Sequence, residues 1–366
     1  MTSQPVPTMG RAPGLIVEAI TPGSVAEKVG IYVGNRLLSY AGQALCSPTH
    51  LQALEENTVG VQPVLLKLER EGQERELRMT GGNLGLSVRS ELSAEVMALY
   101  QQASQEKEAG RKQKAAQQLE QAAQHAKESL VAAWLYLQAG NLYTELSDLE
   151  MAGDSYHAAL EFSQQAEDRA CQVLVLLGLG RCWYRRDAFE KADEWFQQAY
   201  NRATEASWPL WAAISLTHLG TVALDRGDLA TAQDYLARAL TLQEQLAPGS
   251  LEMSRSLTSL GRVAEVRGDF ASAQTYYARA LAIREQLAPG SLNVAASLTN
   301  LGRLAHDRGD LATAQTYYAR ALALQEQLAP GSLLAARSLE GLGHVGLKQQ
   351  RYQQALIMTP RIRTAV

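Results

Sequence analysis

The chain has 366 residues, 46% hydrophobic and 20% charged, enough apolar material for more than one buried core and so for two or more domains. A net charge of -4 and a pI near 5.9 supply no basic field, which argues against a nucleic-acid partner. No eighteen apolar residues run together, and the start "MTSQPVPTMGRAPG" has no basic stretch followed by an apolar one, so the expectation is a cytoplasmic protein without membrane contact.

Residues 1–13 read as a disordered start. From Gly14 the pattern changes: "GLIVEAITPGSVAEKVGIYVGNRLLSYAGQAL" gives a short apolar strand, a Pro-Gly-Ser turn, a small helix, Gly-x-x-x-Gly, another strand and a turn at Ala41-Gly42. A helical stretch "SPTHLQALEEN", a strand "VLLKLERE", a turn at Gly72, a strand "RELRM" and "TGGNLGLSVR" follow. The expectation is a compact α+β module over residues 14–89.

This module resembles the PDZ family. Pro22-Gly23-Ser24-Val25-Ala26, Gly30-Ile31-Tyr32-Val33-Gly34-Asn35 and Ala41-Gly42 match its turn motifs, and Asn83-Leu84-Gly85-Leu86 matches its Gly-Leu-Gly-Phe loop. That loop follows the rest of the domain, which implies a circularly permuted order relative to the animal form, and Ala41 stands where the family has asparagine. The resemblance implies that a peptide adds as a strand beside Leu86 to Val88, with its terminal carboxylate held by N–H groups of Leu84, Gly85 and Leu86. His50 then falls at the first position of the groove helix, where one class of these domains uses histidine to bond a ligand hydroxyl, and Leu54 lies one turn on. A register shift of one residue puts Leu51 and Leu54 on the groove face instead, an exposed helix histidine is the plainer alternative, and Asn57 sits where an apolar residue is expected.

Beyond residue 89 the chain copies itself. "LGTVALDRGDLATAQDYLARALTLQEQLAPGS" from Leu219 recurs from Leu260 and Leu301, in steps of 41 residues. A small residue recurs as Ala103, Gly140, Gly180, Gly220, Gly261, Gly302 and Gly343, and an alanine twelve positions later as Ala115, Ala152, Ala192, Ala232, Ala273, Ala314 and Ala355. Each unit reads as two amphipathic helices broken at Arg-Gly-Asp and stopped at Ala-Pro-Gly-Ser. Gly261 and Ala273 are expected where two helix backbones approach closely. One hairpin cannot bury its apolar face alone, so neighbours stack into a solenoid. The expected architecture is multidomain: the α+β module, then an all-α array of six helix pairs and an incomplete seventh over residues 90–358.

The repeats resemble the tetratricopeptide family through Leu-Gly, the later alanine, the aromatic four residues on (Tyr156, Phe196, Tyr277, Tyr318) and the next alanine (Ala159, Ala199, Ala239, Ala280, Ala321). Their second helices run on to Pro248, Pro289 and Pro330, as in the kinesin light chain type of repeat. The resemblance implies a concave groove, lined by first helices, that binds peptides or protein surfaces. On that face stand Arg181, Arg255, Thr258, Arg262, Glu265, Thr299, Arg303, His306, Arg337 and His344. Two readings fit them: a solvated helix face, or a cleft for an acidic peptide held by arginine.

Catalysis has no such support. The six histidines lie at spacings the repeats explain, no Gly-x-Ser-x-Gly, His-Glu-x-x-His or phosphate loop occurs, and Cys46, Cys171 and Cys182 lack metal-ligand spacing. The expected function is a non-catalytic adaptor for protein or peptide partners, without cofactor or metal. The rival is the regulatory arm of a caspase-like peptidase system whose catalytic part is a separate chain or lost. Residues 359–366, after Met358, match nothing upstream and read as a tail; Thr364 and Val366 make it a candidate ligand for the chain's own N-terminal module. Six repeats advancing by about 10 Å each exceed the reach of eight extended residues, about 28 Å, so such a contact would form head to tail between molecules.

Overall fold

The computed structural model describes residues 14–330 and 332–363. Strands β1 (Leu15–Ile20), β2 (Arg36–Tyr40), β3 (Gln43–Ala44), β4 (Val64–Arg70), β5 (Gln73–Met79) and β6 (Leu86–Ser90) form one antiparallel sheet, in the order β5-β4-β2-β1-β6 with β3 folded back on β2. Period-two alternation puts Val64, Leu66 and Leu68 of β4 into the core and leaves Leu65 and Lys67 outside. Leu15, Val17, Leu37 and Tyr40 meet them there, joined by Leu51 and Leu54 from helix α2 (Pro48–Asn57). A short α1 (Val25–Lys28) starts on Ser24, whose hydroxyl accepts from the Glu27 N–H. The β2–β3 hairpin turns on Ala41 and Gly42, both at positive φ (53° and 78°). Such a turn favours Asn-Gly, so Ala41 holds it against its own side chain.

Six helix pairs follow: α3 (Ala94–Glu108) with α4 (Lys112–His125), α5 (Ser129–Glu145) with α6 (Leu149–Gln165), α7 (Arg169–Tyr184) with α8 (Phe189–Glu205), α9 (Pro209–Asp225) with α10 (Leu229–Leu246), α11 (Leu251–Val266) with α12 (Phe270–Leu287), and α13 (Leu292–Asp307) with α14 (Leu311–Leu328). A single helix α15 (Leu333–Arg363) comes last. The chain divides into two compact units, one ending at Ser215 and the other beginning at Leu216, inside α9.

In the first unit the sheet is joined to the repeats, so residues 14–89 do not stand apart. Tyr100 of α3 donates to Glu18 Oε2 (2.9 Å), and Thr49 of α2 donates to Asp168 Oδ2 (3.1 Å) at the start of α7. Asn57, four and eight residues from Ala53 and Thr49 along one face of α2, reaches the Ser207 carbonyl at 3.5 Å. This explains the polar residue where an apolar one was expected: Asn57 serves the contact with the repeats.

In the second unit the Arg-Gly-Asp break works in two parts. Gly268 takes a left-handed backbone (φ 78°) that ends α11, and Asp269 caps α12 by accepting from the Ser272 N–H (3.1 Å). Asp228 and Asp310 repeat the cap with Thr231 and Thr313. The expectation that Gly261 lies at a backbone-to-backbone approach needs correction. A Cβ there would stand 2.5 Å from Cε1 of Tyr277, so the space belongs to the ring of the second helix. The same pairing recurs as Gly140 with Tyr156, Gly180 with Phe196 and Gly302 with Tyr318. In the seventh unit Lys348-Gln349-Gln350-Arg351 replaces Arg-Gly-Asp, no break forms, and among the described residues no atom of another element lies within 4 Å of a Cβ at Gly343. α15 also continues past Met358 and through Pro360 to Arg363, where a tail was expected; a proline removes one helical hydrogen bond and need not end the helix.

Candidate functional site

Among the described residues β6 pairs with β1 on one side only and is the outer strand of the sheet. Leu86 and Val88 are half-buried on it and Ser87 is exposed. The loop before it is clamped through its carbonyls: Ala26 N–H donates to the Leu84 carbonyl (2.9 Å) and Thr21 N–H to the Gly85 carbonyl (2.7 Å). In a trans peptide the next N–H points the opposite way, so the N–H groups of Gly85 and Leu86 face away from these clamps. Gly85 is required, since its φ is 70° and a Cβ would collide with the Ser24 side chain.

Two loop N–H groups already have acceptors. Leu84 N–H donates to Glu55 Oε1 of α2 (3.0 Å) and Gly85 N–H to Asn83 Oδ1 (2.7 Å). Burial pushes the Glu55 carboxyl up to about 7, opposed by the Leu84 N–H and assisted by the charge of Glu56. Leu54 and Leu51 are both buried in the module's core. Glu55 was not singled out from the sequence, because a glutamate on an amphipathic helix has no signature for reaching a loop 29 residues on.

His50 stands in the first turn of α2, half-buried, with Nδ1 3.2 Å from Cys46 Sγ. Asp168, buried at the start of α7, accepts from the Thr49 hydroxyl and caps the Cys171 N–H (3.0 Å). Cysteine, histidine and aspartate so placed suggest a nucleophile, but the electrostatics run the other way. Burial, then the Asp168 charge, raises the Cys46 thiol, and burial lowers His50 against the opposing pull of Asp168. The pair is therefore held neutral at pH 7, without the thiolate that attack requires.

The repeat face divides between the two compact units. In the first, the charge of Arg181 acts on the Tyr156 hydroxyl, which donates to Asn141 Oδ1 (2.8 Å). In the second, two arginines meet carboxylates of the preceding first helix: Arg262 pairs with Asp225 (2.6 Å) and Arg303 with Glu265, Nη2 to Oε2 at 2.8 Å. Glu265 also accepts from the Tyr277 hydroxyl (2.7 Å), so one carboxylate links three helices. Arg255 pairs within its own helix with Glu252 (3.3 Å). Thr299 meets the Ser338 hydroxyl (3.1 Å), and His306 bonds Asp307 (3.1 Å) with its ring 6.2 Å from that of His344. Arg337 is exposed on α15. The strip read as arginine-rich is thus largely answered by its own acids.

Arg284 of α12 was missed by the sequence reading. It is 8% exposed, and no carboxylate lies within ion-pairing distance of it among the described residues. Its guanidinium donates to the hydroxyls of Ser254 (3.1 Å), Thr258 (3.0 Å) and Ser297 (2.8 Å) and to the Asn293 carbonyl (3.3 Å). Burial, with Arg255 adding, holds its pKa down to about 10. The repeat period gives the signal: Gln243 and Gln325, 41 residues to either side, fill the same position. Thr364 and Val366 lie outside the described residues. Among those residues, no group of three or more His, Cys, Asp or Glu is placed to hold a metal ion, and no helix is long and apolar enough to cross a membrane.

A family model described as Tetratricopeptide repeat matches residues 211–286 and 293–358. Among solved structures, the apo form of RapI is similar at 13% identity over 71% of this chain and 99% of that one, with a TM-score of 0.52. A Rap protein complexed with Competence and Sporulation Factor is similar at 15% identity, covering 71% and 78%, with a TM-score of 0.50. BtubC (BKLC) from P. vanneervenii gives 20% identity, 64% and 93% coverage and a TM-score of 0.48. The likeness to the two Rap proteins is one of helical-repeat fold. No curated protein matches this chain.

Proposed function

We propose that this chain, which carries tetratricopeptide repeats, is a non-catalytic scaffold whose N-terminal sheet takes peptide C-termini along β6 while the repeats offer a second protein-binding surface. The observation that carries the reading is the open edge of β6 beside a glycine loop whose N–H groups are turned away from their clamps. An extended peptide would continue the sheet through backbone hydrogen bonds, and its terminal carboxylate would take the loop N–H groups. This is the PDZ mode of recognition, and the motifs at Pro22–Ala26 and Asn83–Leu86 support it. A solvent-exposed histidine is not needed for it: with His50 bonded to Cys46, specificity falls to the half-buried Leu86 and Val88 and to the last apolar side chain of the ligand.

For the repeats we favour a protein surface over a strongly acidic peptide, because Arg262 and Arg303 already hold Asp225 and Glu265. The test of the groove uses a pool of random heptapeptides with an apolar last residue, passed over the immobilised full chain and read by mass spectrometry. Retention of the free-acid pool and loss of the same pool as C-terminal amides is the expected result. Equal retention of acids and amides would remove the carboxylate-loop reading.

A further inference from the structure

The loop that the proposed function assigns to a ligand carboxylate already holds a carboxylate from the protein itself. We propose that Glu55 is a built-in competitor, and that a peptide C-terminus enters the β6 groove by displacing the Glu55 carboxylate from the Leu84 N–H. This rests on the groove reading of the preceding subsection.

Three observations converge on it. Glu55 Oε1 accepts from Leu84 N–H at 3.0 Å, at a residue that is itself fully buried and whose own carbonyl is held by the Ala26 N–H. The neighbouring Gly85 N–H is likewise occupied by a side-chain oxygen, that of Asn83 (2.7 Å), so both contacts can be exchanged for a ligand without breaking the sheet. Glu55 also makes no ion pair among the described residues. The ionisable groups around it are Glu56 on the same helix and Tyr40 from β2, while Asp168 of α7, which packs against α2, acts on His50 and Cys46. An ionised carboxylate withdrawn from water with one N–H and no cation is a weakly held occupant.

The direction of the pH dependence follows. In the capped state burial raises the Glu55 pKa from 4.5 to about 7 against the opposing Leu84 N–H, so this state binds the proton more tightly than a carboxyl released to water and is favoured in acid. Above pH 7 the carboxylate ionises, water competes for it, and the loop opens to the ligand. For complete displacement these two values give a peptide affinity about 30-fold greater at pH 8 than at pH 5.5. Glu55→Gln keeps a neutral oxygen on Leu84 at every pH and should bind weakly and without this dependence. Glu55→Ala leaves the N–H open and should bind tightly at both. Burial holds the His50 imidazole below its ordinary value, and this group is present in all three proteins and cancels in the comparison.

The experiment measures, by fluorescence anisotropy, the affinity of the best-retained free-acid heptapeptide for the full-length wild type, Glu55→Ala and Glu55→Gln at pH 5.5 and 8. Expected are wild type tightening at pH 8, Glu55→Ala tight throughout and Glu55→Gln weak throughout. Equal affinity of all three would leave the groove and overturn the role of Glu55, as would tighter wild-type binding in acid, which means that Glu55 stays beside the ligand. No retention of the pool by any of the three would remove the groove reading itself, and this proposal with it.

Discussion

Arg284 offers a substitution whose sign can be worked out before it is made. Its pKa, lowered from the ordinary arginine value to about 10 by burial and Arg255, means that the guanidinium's charge costs roughly 3 kcal/mol in the folded chain. Arg284→Gln removes that cost and installs the residue found at the same repeat position in Gln243 and Gln325. Against the gain stand two losses. The shorter side chain leaves on the order of 30 Å³ unfilled, or about 1 kcal/mol. Hydrogen bonds to four acceptors are also lost, but no hydroxyl is stranded: Ser254 donates to the Leu251 carbonyl (2.7 Å), Thr258 to that of Ser254 (2.8 Å) and Ser297 to that of Asn293 (3.2 Å). Losing acceptor partners alone costs about 1 kcal/mol. The balance is a stabilisation of about 1 kcal/mol, which should raise the urea midpoint of the step that unfolds α11 to α13 by about 0.3–0.5 M. A lowered midpoint would refute the reasoning, because it would show that the hydroxyl cage outweighs burial of the charge.

Other outcomes follow from the same geometry. Gly261→Ala should destabilise: its Cβ would stand 2.5 Å from a Tyr277 ring tied by its hydroxyl to Glu265, and overpacking of about 1–3 kcal/mol exceeds the roughly 1 kcal/mol gained in helix propensity, whereas Gly343→Ala should stabilise by up to about 1 kcal/mol; thermal melts of both check the contrast. Ala41→Gly relieves a left-handed alanine and should stabilise the sheet by about 0.5–1 kcal/mol, read as slower amide exchange in β2 and β4. The caps Asp228, Asp269 and Asp310 have pKa values held below the ordinary 3.8 by their bonds to Thr231, Ser272 and Thr313. Their stabilisation is therefore present above pH 3.8 and lost as pH falls through the lower folded values, and changing all three to asparagine should flatten the acid limb of a stability–pH curve. The purified chain should hydrolyse no peptide, ester or nucleotide; turnover that a Cys46→Ala change abolishes would refute the neutral thiol–imidazole pair.

The helical array was legible because its signals are local and periodic. Gly261 and Ala273 recur every 41 residues, Arg-Gly-Asp marks a stop and a start, and six pairs with a seventh first helix emerge from that alone. What those residues pack against was not legible: the ring of Tyr277 fills the space beside Gly261, a contact between helices that spacing does not display. The ion pairs hid for the same reason. Arg303 reads as an exposed cation on one helix, and only stacking brings it to Glu265, 38 residues earlier. In the sheet module the turn and loop glycines marked the strands, but the reach of Glu55 to Leu84 and the docking of Thr49 on Asp168 depend on tertiary placement alone.

The central claim is that β6 is a peptide-binding edge, and amide hydrogen exchange on the full chain tests it most directly. With the best-retained free-acid heptapeptide bound, exchange should slow across Leu86–Ser90 and at the loop amides of Gly85 and Leu86, while the repeats from α10 onward stay unchanged. Slowed exchange confined to the repeats, with 83–90 unaffected, would contradict the account.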